Sequence, residues 1–198
     1  MKNYLLFDNV LGEERSQIIY RLAMQKRELF QHSRTSPNRN YPEWRKSFVL
    51  YDGDLQSVIQ TIEHEVRKRL PLATEALGIP SFQVRNIEIQ LTSHNHGEYY
   101  HWHTDNGSVE TRGRILTFVY YFHILPKQFS GGELVLYNQG GQAEIEPVHD
   151  RLVLFSSNTK HEVKTVHCPS KRFEYGRFTL NGWVRCASRT QNEYFNAN

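Results

Sequence analysis

Cysteine is scarce in this chain, with only Cys168 and Cys186 among 198 residues. One pair cannot make the disulfide framework that staples small secreted folds, so the composition fits a reducing compartment. Net charge is also small, +3 at neutral pH. No basic stripe with interleaved aromatics is present, so nucleic acid is not an expected partner. Long apolar runs are missing as well. The N-terminal Tyr4-Leu5-Leu6-Phe7 breaks at Asp8-Asn9, too short for a signal peptide or a membrane span, and the expectation is a soluble, cytoplasmic protein with no membrane partner. The chain lacks internal repeats and linkers, and its length predicts a single domain over residues 1–198. What it has in quantity is aromatic surface: 11 Tyr and 11 Phe bring aromatics to 13%, which suits a strand-rich fold.

Residues 3–8 read as a short strand, and Ile18, Ile19, Leu22 and Ala23 have helical spacing within a helix running from Gly12 to about Leu29. Gln31 to Lys46 has no periodicity and is rich in turn formers, so it reads as a long loop. Loops of that length inside a compact domain are more often functional than idle. Ser47 to Tyr51 is a strand, Gly53 to Leu70 a helix, and a shorter separate helix is predicted over 71–77. After Gly78 the pattern changes to strands and turns. Arg85 to Thr92 alternates strictly, and Arg114–His123, Glu133–Tyr137, Ala143–Pro147, Arg151–Phe155, Glu162–Val166 and Tyr175–Val184 follow. Helices first and short strands afterwards predict a mainly β (α+β) domain, a jelly-roll-like barrel with helices packed on one sheet. Residues 1–80 are the helical support and a candidate lid loop, 81–186 the jelly-roll core, and 187–198 a polar tail.

Chemistry concentrates in Gly97-Glu98-Tyr99-Tyr100-His101-Trp102-His103-Thr104-Asp105, read with His161 and Arg177. On an extended strand His103 and Asp105 would share a face. His161, beyond the strand Arg151–Phe155, is the third candidate ligand. Two imidazoles and one carboxylate on one side of a metal leave the other positions open, as in non-haem Fe(II) oxygenases. On the last strand, parity puts Arg177, Thr179 and Asn181 on one face. A guanidinium inside a barrel needs an anion, and a carboxylate matches its planar fork. Tyr121, sharing a face with Thr117 and Val119, is placed to donate its hydroxyl to the same carboxylate.

His94-x-x-Gly97-x-x-Tyr100-x-x-His103-x-Asp105, followed by Arg114–Tyr121, Gly131-Gly132-Glu133-Leu134, His161-Glu162-Val163 and Arg177 with Trp183, resembles the Fe(II)- and 2-oxoglutarate-dependent dioxygenases of the prolyl 4-hydroxylase-like branch. The resemblance spans roughly residues 85–185. It implies a double-stranded β-helix, itself a jelly roll. It also implies Fe(II) on His103, Asp105 and His161, 2-oxoglutarate held by Arg177 and Tyr121 with Thr179, O2 as oxidant, and ascorbate as an accessory reductant. Tyr100 and Trp183 would wall the iron from the substrate. The implied reaction is hydroxylation of a C–H bond, foremost of a prolyl residue in a protein or peptide, with release of succinate and CO2. His94 stands where the family usually has a Tyr that hydrogen-bonds 2-oxoglutarate, and its titration would make co-substrate binding pH-sensitive. Position 105 is Asp, where halogenating relatives have a small residue, so the chain resembles a hydroxylase. Lys171 and Arg172 are rival basic candidates to Arg177.

Within the 31–46 loop, Arg34, Arg39, Trp44, Arg45 and Lys46 make a basic, aromatic-bearing flap suited to a peptide or an anionic group. Two other readings remain. One keeps the chemistry but changes the substrate to a free amino acid or a small secondary metabolite. The other is a non-catalytic, cupin-like binding module, which predicts that His103, Asp105, His161 and Arg177 do not converge.

Overall fold

The strand-rich pattern becomes two facing antiparallel sheets backed by two helices. The computed structural model describes residues 3–33, 43–51 and 55–187. Its strands are β1 (Tyr4–Phe7), β2 (Gln31–His32), β3 (Arg45–Lys46), β4 (Phe48–Leu50), β5 (Val84–His94), β6 (Tyr99–His103), β7 (Arg114–Phe122), β8 (Ser130–Gly131), β9 (Leu134–Asn138), β10 (Gly141–Ile145), β11 (Arg151–Ser156), β12 (His161–Val163), β13 (Val166–His167) and β14 (Arg177–Cys186). The helices are α1 (Glu13–Gln25) and α2 (Gln56–Ala76). The large sheet has the order β1-β11-β7-β14-β5-β4-β2, the smaller one β10-β9-β12-β6-β3, and β13 pairs with β8 apart from both.

Alternation on three central strands builds two cores from one sheet. On β14, Phe178, Leu180, Val184 and Cys186 face the helices, as do Leu116, Phe118, Tyr120 and Phe122 of β7 and Leu152 and Leu154 of β11. The intervening Val119, Tyr121, Val153 and Phe155 pack instead against Leu134, Leu136 and Ile145 of the small sheet. A fully buried aliphatic or aromatic side chain contributes about 1.5–3 kcal/mol. β14 comes so close to β5 at Gly182 that a Cβ there would lie 1.9 Å from the Glu88 carbonyl oxygen. Only glycine fits.

Helix α1 buries Ser16, Ile19, Tyr20 and Ala23, one stripe at helical spacing. Its start is tied down by Asp150, whose carboxylate accepts the Leu11 N–H at 2.9 Å, the Gly12 N–H at 2.8 Å and the Tyr120 hydroxyl at 2.8 Å. Helix α2 corrects the expectation of two helices, because Pro71 lies inside one continuous helix. An internal proline forfeits one backbone bond and costs about 3 kcal/mol. Here the buried stripe of Val58, Ile62, Val66 and Ala73 runs through it on both sides, and that burial outweighs the local cost. Further differences lie in the loop of residues 31–46, whose two ends pair as β2 with β4 and β3 with β6, and in the predicted strand 162–166, which is two short strands. Residues 34–42 and the tail from 188 lie outside the described residues, and so do Arg34 and Arg39. No helix among the described residues is long and apolar enough to cross a membrane.

Replacing Asp150 by Ala leaves the Tyr120 hydroxyl and two amides without their acceptor. It is expected to destabilise the fold by about 3 kcal/mol in urea denaturation, and Asp150→Asn by less. His123 gives a pH signature. It is 3% exposed, and burial, aided by His149 and Lys127, moves its pKa down to about 4. Unfolded, it binds a proton near pH 6.5, so between that pH and 4 the unfolded state holds more protons and stability falls as pH falls. The expected loss is on the order of 2–3 kcal/mol, and His123→Phe should remove that component of the pH profile of the thermal midpoint.

Candidate metal and co-substrate site

The site lies between the sheets, where the end of β6 lies beside the start of β12. His103 and His161 are direct cross-strand partners, and their rings stand 4.2 Å apart. Each Nδ1 is bound to a backbone carbonyl two residues back, His103 to His101 and His161 to Thr159, both at 2.8 Å. A carbonyl only accepts, so each Nδ1 carries the hydrogen and each Nε2 presents its lone pair. Those Nε2 atoms meet the Asp105 carboxylate, at 3.6 Å from His103 and 3.4 Å from His161. All three ligand atoms lie within 4.8 Å of one another.

Asp105 is not placed by strand parity, as the sequence had predicted. β6 ends at His103, and Asp105 lies in the turn beyond. Its backbone N–H donates to the Ser157 carbonyl at 3.0 Å, and Thr117 donates its hydroxyl to Oδ2 at 2.7 Å while sharing a second bond with Ser157 Oγ at 2.9 Å. Thr117 and Ser157 were not singled out from the sequence, although parity had already put Thr117 on the face of Tyr121. Burial pushes the Asp105 carboxyl up, but His161, His103 and the Thr117 hydroxyl together outweigh it and hold it well below the usual carboxylate range. Burial, with His103 beside it, takes His161 down to about 4. Near neutral pH the set is one carboxylate and a neutral His161, the protonation that metal binding requires.

Arg177 opens β14 and is 2% exposed. Its Nε donates to the Gly132 carbonyl at 2.8 Å, and no carboxylate among the described residues lies within ion-pair distance of it. The Gly131-Gly132 turn is what seats it. A Cβ on Gly132 would stand 2.7 Å from Arg177 Cδ, and one on Gly131 2.3 Å from the Thr165 carbonyl oxygen. The Tyr121 hydroxyl and His94 Nε2 are buried without a partner. The guanidinium lies 4.9 Å from the Tyr121 ring centre, and its NH1 is 3.5 Å from His94 Nδ1. A buried, unpaired cation ringed by orphaned polar atoms leaves room for a carboxylate. His94 departs from the expected pH sensitivity. Burial, then Arg177 and Arg45, hold its pKa well below the ordinary value, so the ring is neutral throughout the physiological range. Lys171 and Arg172 lie in the turn before β14, and the Arg172 side chain is engaged with Glu174.

A cavity of about 940 Å³ joins these groups. His103, Asp105, His161, Arg177, His94 and Thr179 line it, and Thr179 Oγ1 also bonds Asn181 Oδ1 at 3.3 Å. Tyr121 is fully buried against Arg177. The convergence removes the ground for a module in which these residues stay apart. On the outward side Tyr100 stacks on His103 at 3.6 Å and 19°, and the Arg45 guanidinium lies 4.7 Å over Tyr100. Trp183 also lines the cavity, with the Arg114 guanidinium 3.6 Å over its ring. Arg114 donates to Glu88 at 2.8 Å and to the Asp105 carbonyl at 3.4 Å. That brace was invisible in the sequence, because Glu88 and Arg114 are 26 residues apart.

The residues fit an iron and a keto-diacid. Thr117→Val should keep the packing but remove the hydroxyl that orients Asp105. We expect Fe(II) affinity to fall roughly 10- to 100-fold in anaerobic metal titration, with little change in thermal stability of the metal-free protein.

Comparison with known proteins agrees with this geometry. Residues 89–185 match the 2OG-Fe(II) oxygenase superfamily. An uncharacterised PKHD-type hydroxylase of Synechocystis is 38% identical over 187 residues, covering 89% of this chain. The chain spans about three fifths of that relative's length, 61%. Among solved structures, a prolyl hydroxylase of Trichoplax adhaerens, in complex with a peptide fragment of a hypoxia inducible factor, has a TM-score of 0.75 at 22% identity, over 96% of this chain and 86% of its own. A Pseudomonas putida prolyl-4-hydroxylase has a TM-score of 0.70 at 19% identity, over 92% of each chain. The fold is that of the jelly-roll prolyl hydroxylases, and the segment carrying the triad and the buried arginine, residues 89–185, belongs to the 2OG-Fe(II) oxygenase superfamily.

Proposed function

We propose that this protein is an Fe(II)- and 2-oxoglutarate-dependent dioxygenase that hydroxylates a prolyl residue in a protein or peptide. The observation that carries the reading is the buried pairing of a three-residue metal set with an arginine that has no anion of its own. His103, Asp105 and His161 would hold Fe(II). Arg177 would take the distal carboxylate of 2-oxoglutarate, with the Tyr121 hydroxyl and His94 Nε2 as further donors and Thr179 beside them. Iron(II), with 2-oxoglutarate and O2, supplies the oxidising equivalents that convert C–H to C–OH, with succinate and CO2 as co-products; ascorbate would keep the iron reduced.

The chain's own contribution is placement. The Gly132 carbonyl holds the guanidinium by its Nε, which leaves its terminal N–H groups for a carboxylate. Neutral His94 accepts from Arg177 through Nδ1, so Nε2 is left as the hydrogen-bearing atom and can donate. Tyr100, stacked flat on His103, and Trp183, braced by Arg114, limit water at the substrate side. Arg45 donates to Ser47 Oγ at 2.9 Å and keeps its remaining N–H groups at the cavity wall, where a peptide carbonyl or an acidic group can accept them. A peptide is favoured over a small metabolite because the rim of the cavity is exposed: Tyr51 stands there 68% and Trp44 36% exposed. A metabolite pocket usually buries most of its ligand.

The deciding experiment is anaerobic titration of 2-oxoglutarate into Fe(II)-loaded protein, followed by its weak visible charge-transfer band. The wild-type chain should show the band. Arg177→Ala should weaken 2-oxoglutarate binding by roughly 100-fold or more, as expected for the loss of one partner of a buried charge pair, and Tyr121→Phe by about tenfold. No band with iron bound would exclude the 2-oxoglutarate reading.

A further inference from the structure

One wall of the cavity carries a polar network that neither the metal set nor the Arg177 end uses. Gln90 and Thr92 of β5 and Thr179 and Asn181 of β14 all line it. Gln90 Nε2 donates to Thr92 Oγ1 at 3.4 Å, and Thr92 Oγ1 donates to Asn181 Oδ1 at 2.8 Å. Thr179 Oγ1 donates to the same Oδ1 at 3.3 Å. Thr92 and Thr179 are each 2% exposed, so their hydroxyl hydrogens need an acceptor inside the protein. Asn181 Oδ1 is that acceptor, and this settles which way its amide is turned. The Nδ2 group on the other branch of the amide keeps two hydrogens with no acceptor among the described residues.

Register gives the level of that free donor. Thr179 pairs with Tyr121, Asn181 with Val119 and Trp183 with Thr117. Tyr121 packs on Arg177, and Thr117 holds Asp105. Asn181 therefore stands between the buried cation and the metal set, one strand step deeper than Trp183. A keto-diacid that runs from Arg177 to the metal must pass this stretch of wall. The strand cannot shift there, because at the next residue, Gly182, β14 lies against the Glu88 carbonyl. A donor fixed by two hydroxyls on a rigid strand loses little freedom when it binds.

We propose that Asn181 is a positioning residue for the co-substrate, its Nδ2 amide donating to the keto-acid end of 2-oxoglutarate, the end that binds iron. The distal carboxylate already has Arg177, Tyr121, His94 and Thr179 around it, whereas the keto-acid end has no other neutral donor from this wall. An amide suits that place. It offers hydrogens to an anionic oxygen without adding a second buried cation beside the metal. The proposal rests on the dioxygenase reading and adds to it the residue that orients the chelating end.

The test is anaerobic titration of 2-oxoglutarate into Fe(II)-loaded wild type, Asn181→Leu and Asn181→Asp, reading both the affinity and the wavelength of the charge-transfer band. No turnover is involved. Asn181→Leu should lose about tenfold in affinity. Its band should also move to shorter wavelength, because a hydrogen bond to the chelating end lowers the acceptor orbital of the keto acid. Asn181→Asp keeps an oxygen for Thr92 and Thr179, so the thermal midpoint of the metal-free protein should stay near that of the wild type. Buffered above neutrality, it should show no band at concentrations that saturate the wild type, since its carboxylate faces the keto acid's own. A band maximum unmoved in Asn181→Leu, with or without a loss of affinity, overturns the proposal and leaves Asn181 as a brace for two threonines. Wild-type affinity in Asn181→Asp overturns it as well. Absence of the band in the iron-loaded wild type would instead sink the dioxygenase reading itself.

Discussion

A guanidinium that is 2% exposed and has no acidic partner among the described residues is the constraint around which this structure is arranged. An uncompensated buried charge costs several kcal/mol, and the fold tolerates it at Arg177 by bringing a glycine carbonyl to Nε and leaving orphaned hydrogen-bonding atoms nearby. The Gly131-Gly132 turn has positive φ at both residues and no space for either Cβ. It is shaped by the arginine it accepts. The central position of β14, hydrogen-bonded to β5 and β7 along its length, then holds the cation rigidly at the cavity floor.

The metal set obeys a different economy. Its two imidazoles face each other across neighbouring strands, and each is locked in one tautomer by a backbone carbonyl. The carboxylate comes from a turn and is steered by Thr117 and Ser157, on β7 and just after β11. The set therefore draws on both sheets. Sliding one sheet past the other by a residue would carry Asp105 away from the histidines, so the inter-sheet core of Val119, Leu136, Val153 and Phe155 sets the ligand geometry as well as the stability. Arg114 links the two regions, reaching from the Asp105 carbonyl to the face of Trp183. On the outward side, rings and guanidinium groups are layered in the order Arg45, Tyr100, His103, so the Arg45 guanidinium stands one ring's thickness from His103.

Much of this was legible in the primary structure. Strand parity put Arg177, Thr179 and Asn181 on one face and separated them from Phe178 and Leu180, because a period of two survives any tertiary context in which one face is buried. The motif around His103, the Gly-Gly turn and the distant His161 could be read in order along the chain, and so could the helices on one sheet. Local signals failed where a long-range contact overrode them. Pro71 reads as a break, yet the buried stripe of α2 carries the helix through it. The loop of residues 31–46 reads as featureless, yet its ends add strands to both sheets. His94 reads as a titrating switch, yet burial against Arg177 keeps it neutral.

The sequence by itself determined which groups were available and, on the regular strands β7 and β14, on which face they stood, since residue type and alternation are local properties. Tertiary structure alone decided which of them meet. The separation of 16 positions from His161 to Arg177, or of 26 from Glu88 to Arg114, carries no information on distance in space. Cross-strand register, sheet stacking and the close approach at Gly182 supply it. The same holds for the exposed indoles of Trp44 and Trp102, 58 positions apart in the chain and 5.3 Å apart on the surface. Pairing of β3 with β6 makes them neighbours, because hydrogen-bonded strands lie about 5 Å apart wherever their residues fall in the chain.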